Sequence, residues 1–364
     1  MRERTGFASA LGWGLFCSAS WTWCIGMFLP FVMLERYGWT GFWIFFVPNV
    51  LGCAGFGLLQ STDRVRALRE QLLPLCGWFS LVTIAYQAFF AGWMLPSLTA
   101  FAVVIAGLLC ARLLRERSWL WLSVVVSAAT AAAIAAHSRA SAMPPLQATG
   151  SRPIADAIAL APAVALGFIA CPFLDLTFYR ARLRSGSRAP FAVFGAAFAL
   201  TLLGIAMWWS DSLRGPVLDG ALVALWSVQL AFTIGAHARE GSAPLVDALP
   251  RPAQLTAMSV RWAALSGLAL GWVVRLAPDG ISSMGDWAYL ALLGFYGLAF
   301  PFALLLRNRV PRWVLIAFII ACSPFYADAF IGGRTGYLWG PIVALAVLWA
   351  ATTVKHGTKG LPAT

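Results

Sequence analysis

The sequence predicts an all-α integral membrane protein with about twelve transmembrane helices. Of the 364 residues, 60% are hydrophobic and only 11% are charged, and the mean hydropathy is +0.78. Roughly a quarter of the residues are charged in ordinary soluble domains, so the composition excludes a soluble protein of this size. Long apolar stretches alternate with short loops, and the basic residues of those loops fall mostly on one side of the membrane.

Each predicted span is an apolar stretch close to the length that crosses a bilayer, which is about 20 residues in a helix. The ninth stretch contains Arg261 and Arg275. Both lie within a turn or two of its ends, where a long basic side chain reaches the headgroups. The predicted spans in chain order are 11–34, 41–59, 72–95, 98–114, 119–136, 158–179, 190–209, 221–236, 255–277, 287–306, 313–330 and 337–354.

The distribution of basic residues predicts the orientation, because lysines and arginines beside transmembrane helices collect on the cytoplasmic side. With the N-terminus inside, the inner segments hold 20 of the 26 lysines and arginines, and the outer segments hold 6. The sequence therefore predicts a multi-pass protein of the cell (inner) membrane with both termini in the cytoplasm. The net charge of +12 is dispersed over these loops. We interpret these basic side chains as contacts with anionic lipid, and we expect no nucleic-acid partner.

The longest outer loop divides the spans into two groups of five, with two spans appended. An odd number of spans per group gives the groups opposite orientations, which is a construction typical of secondary transporters. The count alone fits two groups of six equally well. The predicted units are a first five-helix repeat over residues 1–137, an external loop over 138–157, a second five-helix repeat over 158–306, and two further helices with a cytoplasmic tail over 307–364.

The first span of each predicted repeat has the composition of a helix that breaks inside the membrane. Span one concentrates small and polar residues in its middle, followed by Gly26 and Pro30. Span six contains Pro172, and a proline inside a helix removes a hydrogen bond and frees a carbonyl. Such a break persists at membrane depth only where protein or a wet cavity satisfies the freed groups. The alternative is that both spans are continuous, proline-kinked packing helices.

Two segments resemble the sodium:solute symporter family, whose members have the LeuT fold of the amino acid-polyamine-organocation superfamily. The run from Ser20 to Met27, Ser-Trp-Thr-Trp-Cys-Ile-Gly-Met, resembles the broken first core helix of that family, and the run from Gly167 to Arg180 resembles its sixth. The resemblance implies a solute pocket near mid-membrane between these two helices, walled by helices three, eight and ten. The substrate-binding residues that it implies are Trp21, Thr22, Trp23, Tyr86, Gln87, Cys171, Phe173, Asp175, Ser227, Gln229 and Tyr296.

The resemblance leaves coupling to Na⁺ or to H⁺ open, and we expect no cofactor and no bound metal. Sodium-coupled members of this fold use a close pair of hydroxyl side chains on the eighth core helix. The eighth span here offers Ser227 and Thr233, which are separated by about 600° of helix and so face opposite ways. The proton-coupled variants with a lysine in the fifth helix are not matched, because span five contains no lysine.

Asp175 is the leading intramembrane residue, because a charge inside a bilayer is costly unless it is paired or hydrated. It follows Pro172 by three residues, which aims it toward the freed backbone. A carboxylate there can bind a cationic group, carry a proton or help to coordinate a cation. The alternative is an ion pair with an arginine of the adjacent inner loop, such as Arg180. The deep indoles of Trp21 and Trp23 near a carboxylate suit a cationic or zwitterionic solute.

The sequence favours a secondary transporter that moves a small organic solute by alternating access, with the lipid bilayer and the solute as its partners. One alternative is a LeuT-fold scaffold or sensor subunit that does not transport. The other is a membrane-embedded transferase acting on a lipid-linked substrate. We do not expect an enzyme, because His137, His237 and His356 lie at span ends or in the tail with no second ligand at metal spacing. No nucleophile arrangement stands out either.

Overall fold

The computed structural model describes residues 6–138, 149–212, 220–242, 256–277 and 283–357. Within these ranges nearly every residue is helical and no strand occurs. The elements in chain order are α1 (Phe7–Trp21), α2 (Cys24–Leu59), α3 (Thr62–Met94), α4 (Ser97–Leu113), α5 (Glu116–Ser138), α6 (Ile154–Ala170), a 3-10 turn (Cys171–Leu174), α7 (Leu176–Ser185), α8 (Ala189–Ser212), α9 (Gly220–Ser242), α10 (Ala257–Leu276), α11 (Ser283–Leu306), α12 (Arg312–Phe330), a second 3-10 turn (Thr335–Leu338) and α13 (Trp339–Gly357).

The helices have the length and composition of those in a multi-pass membrane protein. Ten helical stretches among the described residues are long and apolar enough to cross a membrane. Helix α1, with 15 residues, and helix α4, with 17, are apolar but shorter. Large apolar side chains such as Trp78, Leu98 and Trp121 are exposed on the outside of the bundle, where lipid tails are their natural surroundings. The predicted all-α membrane class is confirmed at this level.

Helix α2 consists of two arms that fold back on each other. Gly38, with φ 61° and ψ −159°, interrupts the helical backbone between the arms, in a region that glycine adopts without steric cost. A straight helix would separate Cys24 from Asn49 by about 38 Å, at 1.5 Å per residue. Instead Trp21, which directly precedes the break before α2, donates a hydrogen bond from Nε1 to Oδ1 of Asn49 at 2.8 Å. The two arms are therefore antiparallel neighbours.

Two helix pairs cross at glycines. Helix α3 packs along α10, and α4 packs along α9. A Cβ atom added to Gly92 of α3 would lie 2.7 Å from the carbonyl oxygen of Leu268 in α10. One added to Gly107 of α4 would lie 2.7 Å from the carbonyl oxygen of Ala231 in α9. Small residues let helix backbones approach closely in a membrane, so these crossings depend on glycine.

Helices α1 and α6 are also held by close backbone contacts. Helix α1 packs against α5 and α8, and α6 packs against α2 and α11. A Cβ atom added to Gly14 of α1 would lie 2.7 Å from the carbonyl oxygen of Pro190 in α8. One added to Gly52, in the second arm of α2, would lie 2.7 Å from the carbonyl oxygen of Phe168 in α6. These contacts fix the two helices that precede the breaks described below.

Loops meet at one end of the bundle around Arg36 and Arg152, and we call this the Arg36 end. The guanidinium of Arg36 donates from Nη1 to the carbonyl oxygen of Phe330 at 3.2 Å. That of Arg152 donates from Nη1 to the carbonyl oxygen of Gly333 at 3.2 Å. The backbone N–H of Arg152 also donates to the carbonyl oxygen of Arg36 at 2.8 Å. The segments after the first arm of α2, before α6 and after α12 therefore lie together.

A second set of contacts lies at the opposite end, around Arg180 and Arg182, and we call this the Arg180 end. Arg182 donates from Nη2 to the carbonyl oxygen of Gln60 at 3.2 Å. Arg307, at the end of α11, donates from Nη1 to the carbonyl oxygen of Gln71 in α3 at 2.9 Å. These contacts join α7 to the segment after α2, and the end of α11 to α3.

Helices extend into sequence that was predicted as inner loops. Helix α9 continues to Ser242, so the loop predicted over residues 237–254 is wrong in its first residues. Arg69 in α3 and Arg180 in α7 are buried rather than solvated. The hydropathy pattern cannot reveal this, because it treats each charge as isolated, whereas Glu240 and Arg180 pair inside the fold. Basic residues of the charge tally that lie outside the described residues are Arg2, Arg4, Arg139, Arg214, Arg251 and Lys359.

Candidate functional site

The two segments that were predicted to break do lose their helical backbone, and the breaks are adjacent. Helix α1 ends at Trp21, and Thr22 has φ −75° and ψ 62° before α2 begins. Helix α6 passes into a 3-10 turn, and Asp175 has φ −88° and ψ 110° before α7 begins. Across the gap, Oγ of Ser20 and Oγ1 of Thr177 share a hydrogen bond of 2.9 Å. The alternative of two continuous packing helices is therefore wrong.

Side chains from other helices satisfy the backbone at the first break. Gln87 of α3 accepts a hydrogen bond at Oε1 from the N–H of Cys24, at 3.1 Å. Tyr289 of α11 donates from its hydroxyl to the carbonyl oxygen of Cys24 at 3.3 Å. Within the break, Thr22 Oγ1 donates to the carbonyl oxygen of Ser18 at 2.8 Å. These partners are what allow a non-helical segment to persist in the bundle interior.

The second break is satisfied mainly from within its own segment. Asp175 caps α7, because its Oδ1 accepts a hydrogen bond from the N–H of Thr177 at 2.8 Å. The hydroxyl of Tyr179 donates to the carbonyl oxygen of Phe173 at 2.8 Å. Pro172 supplies no N–H to the turn, which explains why the α-helix ends there. The local sequence thus builds both the interruption and its cap.

A narrow cavity leads from the breaks to the Arg36 end. Four of the predicted site residues line it: Trp21, Trp23, Cys171 and Tyr296. Farther along, the lining reaches Arg36. The volume of the cavity is about 60 Å³, which is room for only a few water molecules. A larger solute therefore requires the lining side chains to move apart.

Aromatic rings form the floor of this cavity. The rings of Trp21 and Trp23 have centroids 4.8 Å apart, and Tyr296 meets Trp23 edge-on at 5.7 Å. Trp23 also packs against His237 of α9, which does not line the cavity, with ring centroids 5.5 Å apart. The hydroxyl of Tyr296 donates to Oγ1 of Thr83 at 2.7 Å, which fixes that ring. Trp23 is thus a layer between the cavity and the polar groups behind it.

Behind Trp23 lies a buried acid–imidazole pair. Oδ2 of Asp175 is 3.9 Å from Nε2 of His237, and both side chains are completely buried. Nδ1 of His237 lies 3.2 Å from Oγ of Ser80 in α3. Sequence reasoning placed His237 at the edge of a loop and missed this site. The only signal was that a helix continuing one turn past residue 236 would carry His237 inward.

An ion network lies at the Arg180 end. Nε of Arg180 lies 2.5 Å from Oε2 of Glu240, and both side chains are buried. The same guanidinium contacts Glu116 at 3.3 Å, and Arg184 contacts Glu116 at 3.2 Å. The suggestion that Asp175 pairs with Arg180 is therefore wrong, because Arg180 pairs with Glu240 and Glu116.

The other predicted site residues lie at varying distance from the breaks. Tyr86 lies behind the cavity wall, where its ring stacks on Tyr296 with centroids 5.7 Å apart. Phe173 packs edge-on against Phe56 of α2 at 5.3 Å. Its ring is only partly buried, and neither Phe173 nor Tyr86 lines the cavity. Thr22 and Gln87 hold the first break, as described above. Their roles as substrate contacts stay predictions.

Two predicted residues on α9 face other helices. The hydroxyl of Ser227 donates to the carbonyl oxygen of Val223 at 2.6 Å and lies in a groove lined by α4, α5 and α9. Gln229 donates from Nε2 to Oγ1 of Thr130 in α5 at 3.0 Å. Neither lines the cavity between the breaks. Ser227 is partly exposed and Thr233 is fully buried, in keeping with the predicted difference in their directions.

No protein-family model matches this chain, and no curated protein is significantly similar to it.

Proposed function

We propose that this protein is a secondary transporter that moves a small organic solute by alternating access. The observation that carries the proposal is the arrangement along one path through the bundle. Two broken helices meet, a cavity runs from them to the Arg36 end, and buried ion pairs close the Arg180 end. Discontinuous helices that meet near the membrane centre are how transporters of this type build a solute site. A distant relationship to the sodium:solute symporter family is part of the proposal.

The loop contacts support twelve crossings with both termini in the cytoplasm. At the Arg36 end, Arg152 joins segments predicted outside, and Arg36 contacts Phe330 at the last position of the eleventh predicted span. At the Arg180 end, both contacts join segments predicted inside. The folded-back arms of α2 provide the first outer turn, at Gly38. Because the basic residues are concentrated at the Arg180 end, that end lies on the cytoplasmic side of the inner membrane.

The helix contacts support two repeats of five. Under the proposed repeat, α1, the second arm of α2, α3, α4 and α5 correspond in order to α6, α8, α9, α10 and α11. Exchanging the two sets turns the α3–α10 crossing into the α9–α4 crossing, and the α1–α8 contact into the α6–α2 contact. The α1–α5 contact likewise becomes the α6–α11 contact. All six of these contacts occur, and the first four each contain a close glycine.

The cavity lining supports a solute with a cationic or zwitterionic group. Ile25 and Gly26 line the cavity in the first turn of α2, where backbone N–H groups have no intrahelical partner and the helix dipole attracts an anion such as a carboxylate. The faces of Trp21, Trp23 and Tyr296 are suited to an ammonium group. An amino acid or a related amine would use both features.

Uptake into proteoliposomes tests the proposal. The purified full chain is reconstituted, and radiolabelled amines, amino acids and sugars are screened with and without Na⁺ and pH gradients, against liposomes without protein. We expect saturable uptake of at least one amine or amino acid. Binding of solutes without any movement across the bilayer would favour a sensor, and conversion of a lipid-linked substrate would favour a transferase.

A matched pair of variants ties uptake to the cavity. Gly167 lines the cavity, and an added Cβ there has no neighbour closer than 3.7 Å, so Gly167→Leu fills space without a backbone clash. Gly55, in α2, does not line the cavity and is also 3.7 Å from its nearest neighbour. We expect Gly167→Leu to abolish uptake and Gly55→Leu to preserve it. Equal uptake by both variants would remove this cavity from the path.

A further inference from the structure

The pair formed by Asp175 and His237 has polar atoms that face each other without a bond. Oδ2 of Asp175 and Nε2 of His237 are both fully buried, and neither has a hydrogen-bond partner among the described residues. Their separation of 3.9 Å is longer than a hydrogen bond but within the range of an ion pair. A buried polar atom without a partner calls for an explanation, such as a functional role or an ordered water.

The hydrogen-bond partners of the two residues determine which protonation states of Oδ2 and Nε2 can face each other. If Nδ1 of His237 donates to Oγ of Ser80, then Nε2 presents a lone pair, and Asp175 must be protonated to face it without repulsion. If Ser80 donates to Nδ1 instead, then Nε2 carries a hydrogen that faces the carboxylate. In both cases one proton lies between the two side chains. The first arrangement is electrically neutral and the second carries one negative charge, so the pair binds one proton when it passes from the second to the first.

The titratable groups around this pair are less suited than the pair itself to exchange protons near neutral pH. The other titratable groups that interact electrostatically with Asp175 include Cys17 of α1, Cys53 of α2, Cys76 of α3, Cys171 of the 3-10 turn, Tyr296 of α11 and Glu240 of α9. Thiols and phenols ordinarily titrate above about pH 8. Glu240 is already paired with Arg180.

The location of the pair connects the cavity to the closed end. Trp23 lines the cavity and packs against the His237 ring, so a solute that moves this indole also changes access to the pair. On the other side, Glu240 follows His237 by three residues on α9 and holds Arg180. One helical turn therefore separates the acid–imidazole pair from the ion network that closes the Arg180 end.

We propose that Asp175 and His237 form the proton-binding site that couples solute movement to a pH gradient. This inference rests on the transporter function proposed above and names H⁺ as its coupling ion. One proton from the solution at the Arg36 end binds to the pair when the solute displaces Trp23. The same proton leaves to the solution at the Arg180 end after the Arg180–Glu240 contact opens. No bond other than O–H or N–H forms or breaks, and no redox partner is needed.

Infrared difference spectroscopy of the full chain in lipid tests the proton site without any solute. A buried protonated carboxylic acid has a carbonyl stretch that is separate from those of amides and carboxylates. We expect a band that titrates with pH in the wild-type protein, disappears in Asp175→Asn and titrates at a different pH in His237→Gln. Asp63→Asn is the matched control, because Asp63 is 92% exposed and its loss should leave the band unchanged. A band that survives Asp175→Asn, or no titrating band, would overturn the proton site.

Transport measurements then separate the inference from the function on which it rests. The probe is the solute found in the uptake screen, with a pH-sensitive dye trapped inside the proteoliposomes. We expect Asp175→Asn to lose accumulation driven by a pH gradient, down to the level of empty liposomes, and to keep the exchange of labelled for unlabelled solute. If Asp175→Asn retained pH-driven accumulation, the coupling role would be contradicted and the transporter function would be unaffected. A wild-type protein that moves no solute would end both the function and the coupling, whatever the infrared titration shows.

Discussion

Arg180 pairs with two acids that differ in burial. The ion network at the Arg180 end therefore shows how burial changes the contribution of an ion pair to stability. Nε of Arg180 lies 2.5 Å from Glu240, and the exposed fractions of the two side chains are 1% and 0%. Nη1 of the same arginine lies 3.3 Å from Glu116, whose side chain is 33% exposed. We expect the loss of each acid to have a very different effect on the free energy of unfolding.

The size of each effect follows from solvation. Removing one partner of a buried ion pair leaves a charge without compensation and costs about 3–5 kcal/mol. Glu240→Gln should therefore cost about 3 kcal/mol, the lower figure, because Glu116 still compensates Arg180 in part. Glu116→Gln removes a partly hydrated pair, for which about 0–1 kcal/mol is typical. Replacing Arg180 and Glu240 together by Met removes both charges and should cost less than either single Met variant, since apolar replacement of a buried pair is often neutral.

Reversible unfolding in mixed detergent micelles, followed by circular dichroism, measures these free energies. A double-mutant cycle over Arg180→Met, Glu240→Met and the double variant isolates the coupling between the two side chains. A coupling energy near zero would refute the buried pair. So would a cost for Glu116→Gln equal to that for Glu240→Gln.

Two further predictions concern helix packing and the first break. Gly92→Ala places a Cβ 2.7 Å from the carbonyl oxygen of Leu268 and should lower the free energy of unfolding by about 1–3 kcal/mol; Gly336→Ala, with nothing within 4 Å, should match the wild-type protein in the same detergent titration. Trp21→Phe removes the hydrogen bond to Asn49 and should cost about 1–3 kcal/mol, because it leaves the buried Oδ1 of Asn49 with only a weak donor, the thiol of Cys53 at 3.7 Å. Adding Asn49→Leu should recover part of that loss, and a double variant less stable than the single one would contradict this account.

The class of protein and the position of both breaks could be predicted from the sequence, because each depends on local composition. Hydropathy requires only a window of about 20 residues. Pro172 removes a hydrogen bond wherever it lies in a helix, and Asp175 is a helix cap by its chemistry. Small and polar residues around Ser20 mark the other break in the same local way.

The partners that fill the site could not be predicted, because they depend on packing between distant segments. His237 and Glu240 follow an apolar stretch and look like the start of a loop. They are helical and buried because Asp175 and Arg180, about 60 residues earlier, lie against the same face of α9. Ser227 and Gln229 show the converse. The family resemblance implies both as site residues, but Ser227 donates within its own helix and Gln229 donates to Thr130 of α5.

The hydrogen-bond partners at the first break come from other helices, whereas the cap at the second break is internal. This difference limits the motion of the first segment. Cys24, at the first break, is held by Gln87 of α3 and Tyr289 of α11. The first segment therefore cannot shift without exchanging bonds with two other helices. At the second break the cap between Asp175 and Thr177 is internal to the segment, so that segment can move with its own hydrogen bonds intact.

Helix α7 is consequently the element that we expect to move when the Arg180 end opens. Its polar side-chain contacts with its surroundings include Thr177 to Ser20, Arg180 to the acids of α5 and α9, Arg184 to Glu116, and Arg182 to the carbonyl oxygen of Gln60. Of these, the Arg180–Glu240 contact pairs two buried charges. Breaking it therefore contributes most to the energy barrier for opening the Arg180 end. A proton that neutralised Asp175 would remove a buried negative charge that repels Glu240, so protonation of the pair and the ion network are coupled electrostatically.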